Sequence, residues 1–170
     1  MLNIKIDSYS DLYKQQVQTL ILNIQQEFNI PIDLEAQPDL KEISRFYQKD
    51  NGNFWIARQG GTVIGTIALL DIGNQQAALR KMFVHKDYRG KDYQVGQSLL
   101  DELIQWARQK GLTELFLGTT EKFIAAQRFY EKNGFEEVEK GQLPASFPMV
   151  NVDVKFYKYS LSSTDLNKQL

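Results

Sequence analysis

The 170-residue chain has no cysteine and a single histidine, His85. Without cysteine there is no disulfide framework, no thiolate nucleophile and no sulfur-based metal site. With one histidine, a centre built on several imidazoles is excluded, and any Ser-His-Asp arrangement would have to run through His85. No metal is expected. Long apolar runs are missing as well: nothing approaches the roughly 20 residues that cross a bilayer, and the start MLNIKID has neither the basic nor the apolar part of a secretion signal. The expectation is a cytoplasmic protein with no membrane partner. Neither charge sign is in excess; a formal net charge of -1 supplies no basic field for nucleic acid, which is not expected as a partner. Repeats and interdomain linkers are absent too, so one domain is expected over residues 1–160, followed by a polar tail at 161–170.

What is present reads as that domain. The chain is 42% hydrophobic and 24% charged, enough apolar material for a core. NIKID alternates like a short strand. Ser10 and Asp11 then precede Leu12, Val17, Leu20, Ile21, Ile24 and Phe28, whose spacing predicts a helix over 11–28. Leu40, Ile43 and Phe46 or Tyr47 predict a second helix over 39–48. FWIAR, Gly60-Gly61 and TVIGTIALL read as a hairpin, because two glycines readily take the positive φ angles of a tight turn. A third strand covers about 76–84 with ALRKMFV. Val95, Leu99, Leu100, Leu103, Ile104 and Ala107 form one helical stripe, which Gly111 terminates. LTELFLG is a strand, 122–133 a helix with Phe123, Ala126, Phe129 and Tyr130 inward, and FEEVEK and VKFYKYSL are two final strands. The order β-α-α-β-β-β-α-β-α-β-β makes a mixed α/β sheet, mostly antiparallel, with one strand-helix-strand crossover.

The crossover contains YRGKDYQVGQSLL. The first N–H groups of a helix lack partners within it and carry the positive end of its dipole, so such a terminus suits an anion. Gly90 permits close backbone approach, Arg89 and Lys91 add charge, and Gly96 keeps a Cβ out of the first turn. Alone, the pattern is more often an ordinary solvated loop.

Its surroundings narrow the reading. Over roughly residues 53–140, MFVHKDYRGK, VGQSLL and AAQRFYEKNGF resemble the GNAT family of N-acetyltransferases. The resemblance implies the acyl-CoA N-acyltransferase fold, with helices on both faces of the sheet and acetyl-CoA as co-substrate. Arg89 falls on the first position of the family's phosphate loop and Val95-Gly96 on its last two; Asp92-Tyr93-Gln94 make the loop two residues longer. The phosphates are expected on the N–H groups of Gly90, Lys91, Gln94, Val95 and Gly96, with Gln97 following. Asp92 is expected to face away, capping an extended helix or bonding within the turn. By resemblance, the backbone of Met82, Phe83 and Val84 pairs with the pantetheine arm and stabilises the oxyanion. Phe123 stands where the family often has asparagine, with Ala126 beside it. Tyr130 falls where a tyrosine commonly protonates the departing sulfur.

No general base is identified. Ala78 occupies the position at which some relatives have a carboxylate; His85 reads as a turn residue and Glu121 as a first-turn acid. The two early helices and the segment 141–152 are the natural walls of an acceptor site. Tyr9, Phe28, Tyr47, Trp55 and Phe147 are candidates to line it, with core packing the expected fate of most. The expected function is an N-acetyltransferase acting on a primary amine of a small molecule or peptide by direct attack; the alternative is a non-catalytic acyl-CoA-sensing or protein-interaction module. A monomer or homodimer is expected, with VKFYKYSL as a candidate pairing edge.

Overall fold

The computed structural model describes residues 3–161. Seven strands form one sheet: β1 (Ile4–Ser8), β2 (Asn53–Gln59), β3 (Thr62–Gly73), β4 (Gln76–Val84), β5 (Glu114–Thr119), β6 (Glu136–Val138) and β7 (Lys155–Ser160), in the order β1-β2-β3-β4-β5-β7-β6. Every neighbouring pair is antiparallel except β4 and β5. That pair is joined by the crossover helix α4 (Val95–Gln109), as a parallel connection requires. The other helices are α1 (Lys14–Glu27), α2 (Pro38–Lys41), α3 (Ile43–Tyr47) and α5 (Ile124–Lys132).

The expected helix over 39–48 is two short helices. Glu42, at φ -134° and ψ 58°, leaves the helical region and breaks them apart. VKFYKYSL was a candidate pairing edge, but β7 is an interior strand, flanked by β5 and β6. The described edges are β1 and β6, so β7 offers no free edge for pairing with another copy. Of the expected tail, Leu161 is buried in the core and its N–H donates to Thr113 O, whereas 162–170 lie outside the described residues. Among the described residues no helix is long and apolar enough to cross a membrane.

Two apolar cores sandwich the sheet. Val95, Leu99, Leu100 and Leu103 of α4 pack with Tyr130 of α5 against Ile64, Leu79, Leu115 and Leu117. Val17, Ile21 and Ile24 of α1 pack with Leu40, Ile43 and Tyr47 against Phe54, Ile56 and Ala68 on the other face. Helices therefore cover both faces, as the amphipathic stripes require.

Two features of β4 set up the site. Its pairing with β5 covers Gln76, Ala77 and Ala78 and then stops, so from Leu79 the two strands diverge. Beyond that point β4 also bulges. Its register against β3 shifts between Thr66 and Ala68, and Lys81 sits at φ 52°, a left-handed angle that non-glycine residues seldom take. Thr66 Oγ1 donates to Lys81 O at 2.7 Å and holds the bulge. Bulges and strained backbone concentrate where a strand is redirected for a purpose.

Candidate active site

Two cavities meet where β4 and β5 part. The larger, a cleft of about 580 Å³, runs from the N-terminus of α4 along the end of β4 to the start of α5. Every residue assigned from sequence to the cofactor lines it: Met82, Phe83, Val84, Arg89, Gly90, Lys91, Gln94, Val95, Gly96, Gln97, Phe123 and Ala126. Its charged residues are Arg89, Lys91, Lys122 and Lys132, and no carboxylate joins them. A chain of net charge -1 has thus gathered four cations around one groove. Such a groove focuses a positive field on a polyanion. Lys122 and Lys132 escaped the sequence reading, because only the fold brings the ends of α5 to the mouth of α4.

The mouth itself is open. Gln94 caps α4 in the left-handed conformation, at φ 54° and ψ 30°, and its side chain donates back to Lys91 O at 2.7 Å. Ser98 N–H closes the first helical bond onto Gln94 O, and among the described residues Val95, Gly96 and Gln97 have no backbone acceptor. Three donors and a helix dipole are left facing a cationic cleft. A Cβ on Gly96 would come within 3.1 Å of Met82 Cε, so glycine there also lets α4 approach β4 closely. Asp92 is exposed and does not line the cleft, as expected. The expected capping does not occur: α4 starts at Val95 and Gln94 occupies the cap, two residues beyond Asp92.

Arg89 is less free than its place in the loop suggested. Its Nη1 and Nη2 donate to Glu27 at 2.7 and 3.0 Å, its Nε donates to Val84 O at 2.7 Å, and its guanidinium lies 5.3 Å from the centre of the Phe28 ring. The bidentate pair holds the Glu27 carboxyl below its usual range and clamps the end of α1 to the loop. Phe123 packs edge-on against Phe28 and Phe83, continuing the apolar wall. His85 is a turn residue whose Nδ1 accepts from Asp87 N–H, and Glu121 is exposed; neither lines either cavity.

The smaller cavity, about 160 Å³, lies beyond the gap. Met82, Phe83, Phe123 and Ala126 line both cavities and so form the passage between them. Segment 141–152 contributes Phe147, Pro148, Val150 and Val152, as expected, and α1 contributes Gln25. Of the aromatic candidates Phe147 lines this cavity and Phe28 the cleft, while Tyr9, Tyr47 and Trp55 are spent in the core. Residues of α2 and α3 do not line it; they support it from behind.

Tyr130 faces this smaller cavity. It is packed against Phe129, Phe135 and Tyr157, and no hydrogen bond acts on its hydroxyl, which feels only burial and the charge of Asp153. Burial, and secondarily the nearby Asp153, push the phenol well above its ordinary range, so it stays protonated. Core residue and unspent donor are both true of it.

Asp153 is the residue that sequence reasoning missed. It is the one carboxylate among the described residues lining the smaller cavity. Its Oδ2 lies against Gly118 of β5, where a Cβ would come within 2.6 Å. Glycine at 118 is therefore what lets the carboxylate enter the gap. Burial pushes Asp153 up to about 6, against a partial offset from Arg80 and Lys81. Lys81 shows the converse: burial pulls its ammonium down to about 8, with Asp39 partly restoring it. A carboxylate close to neutrality opposite an unpaired phenol is the arrangement of a proton acceptor facing a proton donor.

Known proteins match this architecture. A family model described as the acetyltransferase (GNAT) family matches residues 19–135. A GNAT-family acetyltransferase structure from Staphylococcus aureus Mu50 superposes with TM-score 0.90 at 42% identity, covering 94% of this chain and all of that one. An acetyltransferase structure from Streptococcus agalactiae 2603 gives TM-score 0.88 at 31% identity, covering 93% and 98%. Rat N-acetyltransferase family 8 member 2 is 28% identical over 132 residues, 75% of this chain; the chain spans 58% of that protein's length. On the match over residues 19–135, the chain belongs to the acetyltransferase (GNAT) family.

Proposed function

We propose that the protein transfers acetyl from acetyl-CoA, the co-substrate of its family, to a primary amine of a small molecule or peptide. The observation that carries this reading is the passage: a cation-lined cleft ending at a helix N-terminus opens through Met82, Phe83, Phe123 and Ala126 into a second cavity bearing Tyr130 and Asp153. Two substrates entering from opposite sides would meet at the divergence of β4 and β5.

The chain's residues fit acetyl-CoA. Val95, Gly96 and Gln97 offer N–H groups to a diphosphate, with Lys91, Lys122 and Lys132 adding charge. Beyond Ala78, the edge of β4 that would continue toward β5 has no partner strand and is available to the amides of the pantetheine arm. When bound, acetyl-CoA supplies an activated acyl group whose thiolate leaves readily.

Direct transfer needs no nucleophile from the protein. The ammonium first releases one proton to water; the neutral nitrogen then forms a C–N bond as the C–S bond breaks, gives up a second proton, and the sulfur gains one. Asp153 accepts from the amine and Tyr130 donates to the sulfur. An acceptor near 6 is ionised at neutral pH and still basic enough to draw a proton. Arg89 acts mainly as the clamp joining α1 to the loop.

Calorimetry with acetyl-CoA followed by thiol release over an amine panel tests the reading. Binding with release is the expected result. Binding without release on any amine favours an acyl-CoA sensor, and absence of binding removes both.

A further inference from the structure

The smaller cavity has three charged side chains, Arg80, Lys81 and Asp153. Lys81 is committed: its Nζ donates to Gln37 Oε1 at 2.6 Å and pairs with Asp39 at 3.5 Å, and Asp39 in turn accepts from the Tyr47 hydroxyl at 2.5 Å. That buried network closes on itself. Arg80 belongs to no such network. It makes no hydrogen bond and no ion pair among the described residues, and none of its nitrogens is sealed from solvent. What holds it is aromatic: its guanidinium carbon lies 5.9 Å from the centre of the Phe46 ring and 6.0 Å from that of Tyr47. Tyr47 is fully buried, so the platform is rigid. An arginine fixed by its π contacts, with its donors unspent, is preorganised for a planar anion.

Asp153 places the opposite charge in the same cavity, also without a side-chain hydrogen bond among the described residues. Arg80 and Asp153 feel each other's charge but do not pair. A small cavity with one unspent cation and one unspent anion is complementary to a small molecule carrying both signs. A polyamine would set a second cation against Arg80 and the already cationic Lys81, which like-charge repulsion disfavours.

We propose that the acetyl acceptor is an amine that also bears a carboxylate, an amino-acid-like zwitterion, with Arg80 binding the carboxylate and Asp153 receiving the ammonium. This rests on the N-acetyltransferase reading and names its substrate class. Arg80 is then the specificity-determining residue; its two N–H groups match a carboxylate's two oxygens, a contact worth about 10- to 100-fold in affinity.

The test compares amines in pairs that differ by the carboxylate alone, such as leucine with 3-methylbutylamine and phenylalanine with phenethylamine, by thiol release from acetyl-CoA. At least one pair is expected to favour the amino acid by about tenfold or more in kcat/KM. In Arg80→Gln the preference collapses toward one, mainly through KM, and Arg80→Lys restores part of it; thermal unfolding of both variants separates this from loss of fold. Equal or better turnover of the plain amines, or a preference that survives Arg80→Gln, overturns the proposal while leaving the acetyltransferase reading intact. No thiol release with any amine overturns that reading and the proposal with it.

Discussion

Replacing Asp153 by asparagine should make the protein more stable and less active. Burial is what raises the carboxyl from the ordinary aspartate value of 3.8 to about 6, and Arg80 and Lys81 recover only part of the loss. The sign follows from proton binding. Between those two values the folded chain holds a proton that the unfolded chain has released, so stability falls as pH rises through that window and is level above it. At pH 7 the ionised carboxylate therefore costs about 3 kcal/mol, or about 2 kcal/mol once its partial exposure is allowed for. Asparagine keeps the shape without the charge and removes that cost. Urea unfolding, followed by the fluorescence of buried Trp55 and half-buried Trp106, which pack edge-on, should show Asp153→Asn more stable by about 2 kcal/mol at pH 7. For a chain of this size that is about 4–8 °C in Tm. By pH 4 the gain should shrink to about half a kcal/mol, because wild-type Asp153 is then protonated in the fold. Thiol release should meanwhile fall by about 100-fold or more, the usual contribution of a positioned base. A variant less stable than wild type at pH 7, or a gain equal at both pH values, would refute the argument that Asp153 is held charged at a cost to the fold.

Other consequences follow from the same geometry. Tyr130→Phe should lower kcat by about 100-fold and leave Tm nearly unchanged, because the hydroxyl has no partner to lose; a kcat within twofold of wild type in a stopped thiol-release assay would remove Tyr130 from the chemistry. Gly118→Ala puts a Cβ within 2.6 Å of Asp153 Oδ2, so the carboxylate must withdraw and kcat should drop by about tenfold or more, with circular dichroism showing the fold retained; unchanged kcat would mean Asp153 need not occupy that position. Glu27→Gln removes the charge that occupies Arg89 and should tighten acetyl-CoA about fivefold by calorimetry, roughly the 1 kcal/mol of one screened charge contact. Weaker binding instead would show that Glu27 aims Arg89 rather than competing for it.

How far the sequence could carry this picture depends on which interactions are local. The hairpin at Gly60-Gly61 and the helix from Val95 to Gln109 were legible because turn chemistry and a 3.6-residue stripe are written within a few neighbours. The residues of the larger cleft were legible by another route, the resemblance of MFVHKDYRGK, VGQSLL and AAQRFYEKNGF to one family, which singled out side chains that the fold then brings to one groove. Asp153 was not, since it stands in an irregular stretch, PMVNVD, and gains meaning only by packing on Gly118 of a strand 35 positions earlier. Arg80 looked like one more strand residue until Phe46 and Tyr47 were seen beneath it. The break at Glu42 was invisible to a periodicity that runs on through it. The insertion of β7 between β5 and β6 is equally non-local: adjacency in sequence suggests that β6 and β7 pair, but nothing in either strand says which of them reaches β5.

The central claim is that one continuous route leads from the free amides at the start of α4 to the gap holding Tyr130 and Asp153. A crystal structure of the protein with coenzyme A tests it most directly. The account predicts the diphosphate within hydrogen-bonding distance of the N–H groups of Val95, Gly96 and Gln97, and the sulfur between Met82 and Phe123, close to the Tyr130 hydroxyl. Phosphates bound away from that helix terminus, or a thiol pointing out of the passage, would contradict it.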